Sequence, residues 1–175
     1  MRKVVPGVLA TLVSLAAAPT SNLPRKAPDQ VIHFVDGKTA KVSDYSGKVV
    51  LVAFILTGCP HCQHTVTLLN TIQNDLGKRG FQAVALAVNG DAPRRLSDFI
   101  STWKPAFPVG YCDARDGAEF MKLAKDQRPL APLLAFIDRK GMIRAQTDGN
   151  DAKFFDAREA DHIRAQVLKL LGSGK

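Results

Sequence analysis

Residues 49–62 have the sequence VVLVAFILTGCPHC, and this stretch decides how the chain folds. Its first eight residues form an unbroken apolar run with β-branched and aromatic side chains, which is typical of a central strand covered on both faces. After the run, apolar side chains recur every three or four positions, a spacing that predicts a helix: Cys62, Val66, Leu69, Ile72 and Leu76. The two cysteines therefore lie where a buried strand passes into a helix.

The position of Cys59 at the start of the predicted helix gives its thiol a distinctive environment. Unpaired backbone N–H groups and the positive end of the helix dipole both favour the thiolate, the form that attacks disulfides. Cys62 lies one turn further along, close enough to form a disulfide with Cys59 and more buried. A protonated His61 would place a cation beside the thiolate. We therefore expect Cys59 to attack a substrate and Cys62 to resolve the mixed disulfide, within the motif Cys59-Pro60-His61-Cys62.

Strands and helices alternate on both sides of this motif. The Asp36-Gly37 dipeptide predicts the turn of an N-terminal β-hairpin. Further strands are predicted at 81–88, 107–112, 133–137 and 142–147. Helices are predicted from Pro93, from Asp116 and through the C-terminal residues, where Asp156 and Glu159 resemble a capping box. This order predicts an α/β fold with a mixed central sheet, helices on both of its faces and an N-terminal hairpin extension.

Length and charge narrow the possible classes of protein. A chain of 175 residues fits a single domain with one core. The formal net charge is +8 and the isoelectric point is near 9.6, but the lysines and arginines are scattered rather than aligned with aromatic residues. We interpret them as a solvated surface rather than a nucleic-acid interface.

The N-terminal residues have the features of a secretory signal. Arg2 and Lys3 precede an uncharged, mostly apolar run that ends in small residues at Ala18. Residues 1–18 are therefore predicted to be a signal peptide or, alternatively, an uncleaved N-terminal anchor. Residues 19–30 hold three prolines and are predicted to be a linker, and residues 31–172 to be the domain. Secretion would place the protein in the periplasm or elsewhere outside the cytoplasm, where disulfides persist.

Several segments in order resemble the thioredoxin superfamily, specifically its extracytoplasmic TlpA-like, redoxin-type branch. They are the hairpin Asp36-Gly37-Lys38, residues 43–52 (SDYSGKVVLV), the CxxC, Phe107-Pro108-Val109, and residues 131–138 (APLLAFID). The resemblance implies a thioredoxin fold and thiol–disulfide oxidoreductase activity. It also implies that Pro132 is a cis-proline facing the active site. Its neighbour Ala131 would then offer its backbone to a bound substrate strand, and Gly58 is expected to belong to the same substrate-binding surface.

Three positions depart from what this resemblance leads us to expect. Gly58 stands where an aromatic residue usually precedes the first cysteine, and Ala53 where thioredoxin has a buried aspartate. Thr65 stands where relatives that reduce cytochrome c precursors often carry a glutamate. The missing carboxylates weaken the case for a reductase, and His61 favours an oxidising pair like that of DsbA, which shares the Cys-Pro-His-Cys motif. The family as a whole favours reduction, so both directions of exchange stay open.

Two other functions are weighed against disulfide exchange. A peroxiredoxin-like thiol peroxidase would have a threonine three residues before its reactive cysteine, whereas this chain has Leu56 there. A copper-binding chaperone of the same fold could use His64 with the two cysteines as a partial metal site. A closed zinc site would need four ligands, and the sequence has no second CxxC or histidine pair to complete one. Cys112 is interpreted as a small buried hydrophobic residue.

We expect no cofactor beyond the redox-active Cys59–Cys62 disulfide and no resident metal. The expected partners are protein thiol or disulfide substrates and a membrane or periplasmic redox partner, with no nucleic acid. The chain is expected to be a monomer.

Overall fold

A computed structural model describes residues 23–173, and their centre is an eight-stranded mixed sheet with the order β1-β8-β7-β4-β5-β6-β2-β3. The strands are β1 (Arg25–Lys26), β2 (Val31–His33), β3 (Thr39–Lys41), β4 (Val49–Ile55), β5 (Phe81–Ala87), β6 (Val109–Tyr111), β7 (Leu133–Ile137) and β8 (Met142–Asp148). Strands β4, β5 and β6 run parallel, and β7 and β8 are antiparallel additions. The predicted mixed sheet is confirmed.

The quoted apolar run forms β4, and all seven of its residues are buried. It pairs with β5 on one side and with β7 on the other, with Ala53 opposite both Ala85 and Leu134. Because β4 is covered on both faces and both edges, its carboxyl end has a fixed position. The CxxC follows directly from that end.

Within residues 23–173, four α-helices cover the sheet: α1 (Pro60–Leu76), α2 (Ala92–Trp103), α3 (Ala114–Met121) and α4 (Glu159–Gly172). Helices α1, α2 and α4 bury their apolar faces in one cluster, through residues such as Leu69, Leu96 and Val167. Helix α3 packs in the cluster on the opposite face, where Phe120 contacts Phe54 with ring centroids 5.3 Å apart. Helices therefore lie on both faces, as predicted.

The N-terminal hairpin joins the sheet at the free edge of β6. Its strands β2 and β3 pair antiparallel, and His33 lies opposite Tyr111 of β6. Gly110 permits this docking because a Cβ atom there would lie 2.6 Å from the backbone oxygen of His33. The hairpin extension is thus part of the main sheet.

The prediction that residues 19–30 are a linker is wrong for the end of that range. Arg25 and Lys26 form β1, which pairs antiparallel with Ile143 and Met142 of β8. The Arg25 guanidinium is buried and donates to the Phe120 carbonyl and to Gln146. These backbone and side-chain bonds hold the segment against the sheet. The predicted signal peptide or anchor, residues 1–18, lies outside the described residues.

The turn between β7 and β8 is organised by the buried carboxylate of Asp138. It accepts hydrogen bonds from the Lys140 and Met142 amides at 2.9 and 3.0 Å and from Arg144 Nε at 2.6 Å. Burial acts to raise the pKa of Asp138, but the amide bonds and the Arg144 guanidinium outweigh it and hold that pKa below its ordinary value. This turn lies at the end of the sheet opposite the CxxC. None of the helices in residues 23–173 has the length and apolarity required to cross a membrane.

Candidate functional site

Cys59 is the N-cap residue of α1 and is partly exposed. Its extended backbone ends the loop from β4, and its Sγ accepts a hydrogen bond from the Cys62 amide at 3.4 Å. Pro60 occupies the first helical turn, where its missing N–H costs nothing. The sulfur therefore faces the positive end of a 17-residue helix, an arrangement that favours a thiolate.

Cys62 lies one turn into α1 and is fully buried. Its Sγ accepts a hydrogen bond from the Leu56 amide at 3.5 Å. Burial, together with the neighbouring Cys59, raises the pKa of the Cys62 thiol to about 12. The two cysteines of the motif thus differ sharply: one is accessible at a helix terminus, and the other is buried and held in its thiol form.

The partly exposed side chain of His61 points towards the start of α4. Its Nε2 lies 3.3 Å from Oε2 of Glu159, and its ring meets the Phe155 ring edge-on with centroids 4.9 Å apart. The other carboxylate oxygen, Oε1, accepts from Thr65 Oγ1 at 2.6 Å. The site therefore contains a buried carboxylate from a distant part of the chain.

The capping box predicted for Asp156 and Glu159 is wrong. Asp156 Oδ1 accepts from the Arg158 amide, and the Glu159 side chain points to α1 instead of back towards its own helix terminus. Sequence reasoning missed Glu159 as a site residue. A signal was present in the spacing of the apolar residues of α4. Ile163, Val167 and Leu170 are buried, and Glu159 precedes Ile163 by four residues, so it lies on the same inner face of the helix.

The loop that precedes β7 lies across from the cysteines. The Ala131–Pro132 peptide bond is cis, as the resemblance implied. The Ala131 carbonyl oxygen lies 3.9 Å from Cys59 Sγ, and Gly58 lies exposed beside the same sulfur-bearing residue. Ala131 also borders an apolar groove of about 630 Å³ that runs between Leu56 and helix α3. The structure thus brings all the residues predicted for the site together.

Asn89, which follows β5, fixes the loop that carries Gly58. Its Oδ1 accepts from the Thr57 amide at 3.0 Å, and its Nδ2 donates to Thr57 Oγ1 at 3.1 Å. Gln63 donates to the Thr57 carbonyl at 3.0 Å. These bonds tie the residues before Cys59 to β5 and to α1, so that the cysteine is presented by a constrained loop.

The remaining candidates lie apart from this cluster. His64 is exposed on the solvent face of α1. Cys112 is 6% exposed in the core, and burial raises the pKa of its thiol to about 12. Within residues 23–173, no three His, Cys, Asp or Glu side chains are grouped so that they could hold a metal ion.

Comparisons with known proteins identify relatives of this chain. The Redoxin family model matches residues 24–163. The thiol-disulfide oxidoreductase ResA of Bacillus thuringiensis subsp. konkukian is 25% identical over 129 residues, which are 74% of this chain and 71% of the relative. The ResA of Geobacillus kaustophilus is 26% identical over 138 residues, covering 79% and 76% of the two chains.

Solved structures show the same fold. A thiol:disulfide interchange protein of the thioredoxin family from Chlorobium tepidum superposes with a TM-score of 0.71 at 24% identity, covering 87% of this chain and all of that one. A secreted Mycobacterium tuberculosis disulfide oxidoreductase homologous to Escherichia coli DsbE gives a TM-score of 0.65 at 15% identity, covering 81% and 96%. The predicted thioredoxin fold is confirmed.

Proposed function

Because the chain belongs to the redoxin family, we propose that its Cys59–Cys62 pair exchanges disulfides with protein substrates outside the cytoplasm. The chain is a thiol–disulfide oxidoreductase of the thioredoxin superfamily. The observation that carries the proposed roles is the contrast between the two thiols, one partly exposed at a helix terminus and the other buried with a pKa raised to about 12.

Cys59 is the attacking residue in this proposal. Its thiolate attacks one sulfur of a substrate disulfide, the substrate S–S bond breaks, and one substrate sulfur leaves as a thiolate that takes up a proton from solvent. A mixed disulfide between Cys59 and the substrate remains. The Cys62 amide, 3.4 Å from Cys59 Sγ, and the terminus of α1 stabilise the attacking thiolate before this step.

Cys62 resolves the mixed disulfide. It loses its proton and attacks the Cys59 sulfur, which forms the Cys59–Cys62 disulfide and releases the second substrate sulfur as a thiol. Substrate gains two electrons and the enzyme loses two; the reverse sequence donates a disulfide. Since burial keeps Cys62 as a thiol in the resting state, it stays unreactive until a sulfur is bound to Cys59.

Substrate binding is proposed for the surface around the exposed sulfur. Ala131 and Pro132 lie beside Cys59, with the Ala131 carbonyl 3.9 Å from the sulfur, and the exposed Gly58 directly precedes Cys59 in the chain. The absence of a side chain at Gly58 leaves space for a substrate backbone. The apolar groove beside Ala131 and Leu56 would accept apolar side chains of an extended substrate segment.

The extracytoplasmic location rests on two supports. The N-terminal residues 1–18 have the composition of a secretory signal or an anchor, and one structural neighbour is described as secreted. A membrane or periplasmic redox partner restores the pair after each cycle. The chain acts as a monomer and uses no cofactor beyond the Cys59–Cys62 disulfide.

Trapping of the mixed disulfide tests the assignment of roles. The Cys62→Ser variant, mixed with an oxidised model protein such as insulin, should accumulate a covalent adduct at Cys59 that dithiothreitol reverses. The Cys59→Ser variant should form none, and Cys112→Ser, as the matched control, should behave like the wild type. Adducts at Cys62 in the Cys59→Ser variant would refute the assignment, as would efficient turnover of hydrogen peroxide without activity on protein disulfides.

A further inference from the structure

The buried carboxylate of Glu159 lies beside Thr65 and His61, next to a CxxC motif that has no acidic residue of its own nearby in the sequence. Ala53 and Thr65 stand at the two positions where a carboxylate was expected near the cysteines. Glu159 comes from α4, and its Oε1 lies 2.6 Å from the Thr65 hydroxyl. Its side chain is only 4% exposed. Burying a carboxylate costs free energy unless it is paired and hydrogen-bonded. The groups that pair with Glu159 therefore indicate its role.

Each oxygen of this carboxylate has one partner, and both partners are on α1. Oε1 accepts from the Thr65 hydroxyl, and Oε2 lies 3.3 Å from His61 Nε2. Since a carboxylate oxygen can only accept, Nε2 must carry the hydrogen of this bond. The carboxylate therefore selects the forms of His61 that carry a hydrogen at Nε2. Phe155, edge-on to the imidazole at 4.9 Å, holds the ring in this orientation.

Other charged groups around the start of α4 are directed elsewhere. Asp156 is paired with Arg158 at 3.6 Å and with His162 at 3.2 Å. His162 in turn lies against the Phe154 ring rather than against His61. Glu159 is thus the charged partner that the structure gives to His61 from α4, while Cys59, the N-cap residue of α1, is the ionisable group two residues before His61.

We propose that Glu159 is a positioning residue for the exchange reaction: as an opposite charge 3.3 Å from His61 Nε2, it favours the cationic ring two residues from the Cys59 thiolate and so makes the Cys59–Cys62 disulfide a stronger oxidant. This inference rests on the proposed function of the pair. The disulfide takes up two electrons and one proton to give the Cys59 thiolate and the Cys62 thiol. Any interaction that stabilises that thiolate stabilises the reduced form and raises the reduction potential.

The Glu159→Gln variant tests this proposal, because it keeps the shape and removes the charge. Two quantities are measured: the pH midpoint of the thiolate absorbance at 240 nm, and the equilibrium constant of the pair with glutathione. The midpoint should rise, and the equilibrium should shift about tenfold towards the Cys59–Cys62 disulfide, a change of about 30 mV to a more reducing potential. Asp161→Asn is the matched control, since Asp161 is an exposed acid in the same first turn of α4; it should leave both quantities unchanged.

Removing His61 separates this proposal from a direct effect of the carboxylate. In a His61→Phe background, Glu159→Gln should no longer raise the midpoint. If Glu159→Gln lowers the midpoint, or shifts it upward equally with and without His61, the carboxylate acts directly on the cysteines and the proposal is wrong. If Glu159→Gln leaves the midpoint unchanged in both backgrounds, Glu159 has a purely structural role, and the proposal is equally wrong.

Two further readouts keep the test decisive. If the wild type failed to equilibrate with glutathione, the proposed function itself would fail; if it equilibrates and Glu159→Gln leaves the constant unchanged, only the present inference fails. Should Glu159→Gln not fold, the wild type can be read by ¹⁵N NMR of the imidazole. Both ring nitrogens of His61 should give the signals of protonated nitrogens in the pH range where the Cys59 thiolate forms, and an unprotonated ring nitrogen there would refute the proposal.

Discussion

Alkylation of the reduced, folded protein should modify Cys59 almost exclusively. The perturbation is a limiting amount of iodoacetamide at pH 8, which reacts with thiolates. At a pKa of about 12, the thiolate fraction of Cys62 and of Cys112 is about 10⁻⁴. A free cysteine with a pKa of about 8.5 is about one quarter thiolate at the same pH. The lower thiolate fraction alone therefore slows the alkylation of Cys62 and Cys112 by about 10³-fold relative to an unfolded chain. Their limited access to the reagent slows alkylation further.

The assay is peptide mass mapping of the alkylated sites over time, in native buffer and in denaturant. In denaturant the three cysteines should react at similar rates, whereas in native buffer only Cys59 should react within the first minutes. The Cys59→Ser variant should stay essentially unlabelled over the same period. Rapid native labelling of Cys62 or Cys112, within tenfold of the denatured rate, would refute the argument that burial keeps these thiols protonated.

Two further predictions concern stability. Gly110→Ala should destabilise the fold by about 1–3 kcal/mol, because the new Cβ would lie 2.6 Å from the His33 backbone oxygen; Gly90→Ala, with no atom within 4 Å, should change denaturant unfolding far less. Asp138→Asn should cost about 1–2 kcal/mol at pH 7 by weakening the bond to Arg144. The pKa of Asp138 is lower in the folded state than in the unfolded state. The contribution of Asp138 to the free energy of unfolding is therefore fully present above its unfolded-state pKa near 4, and it is lost as the pH falls through its folded-state pKa. The two proteins should therefore converge in stability once the pH falls below the folded-state pKa of Asp138, and a constant difference across pH would contradict this.

The order from β4 through the CxxC to α1 could be predicted because its signals are local. An unbroken apolar run, two cysteines and a three-to-four-residue spacing lie within one continuous segment. The half-buried position of Cys59 and the burial of Cys62 follow from that order. The location of Pro132 could be predicted only by resemblance, because nothing local to residues 131–132 shows that they face Cys59, 72 residues earlier.

The parts that escaped prediction depend on contacts between distant segments. Strand β1 has two residues, too few to show a periodicity, and its existence depends on the free edge of β8. Glu159 meets Thr65 across 94 residues of sequence. Its spacing from Asp156 resembled a capping box, which is a local motif, whereas the packing of α4 against α1 decides where the side chain points. The hydrogen bonds between Asn89 and Thr57 likewise join segments that are distant in the sequence.

Equilibration of the wild-type protein with glutathione redox buffers tests the central claim most directly. The fraction of Cys59–Cys62 disulfide is quantified by acid quenching, alkylation and mass measurement. We predict a single reversible two-electron transition, with a midpoint between about −270 and −120 mV, while Cys112 stays a thiol throughout. Failure of the pair to form a disulfide at any glutathione ratio, or accumulation of only a glutathione adduct at Cys59, would contradict the assignment of this chain as a dithiol–disulfide exchange enzyme.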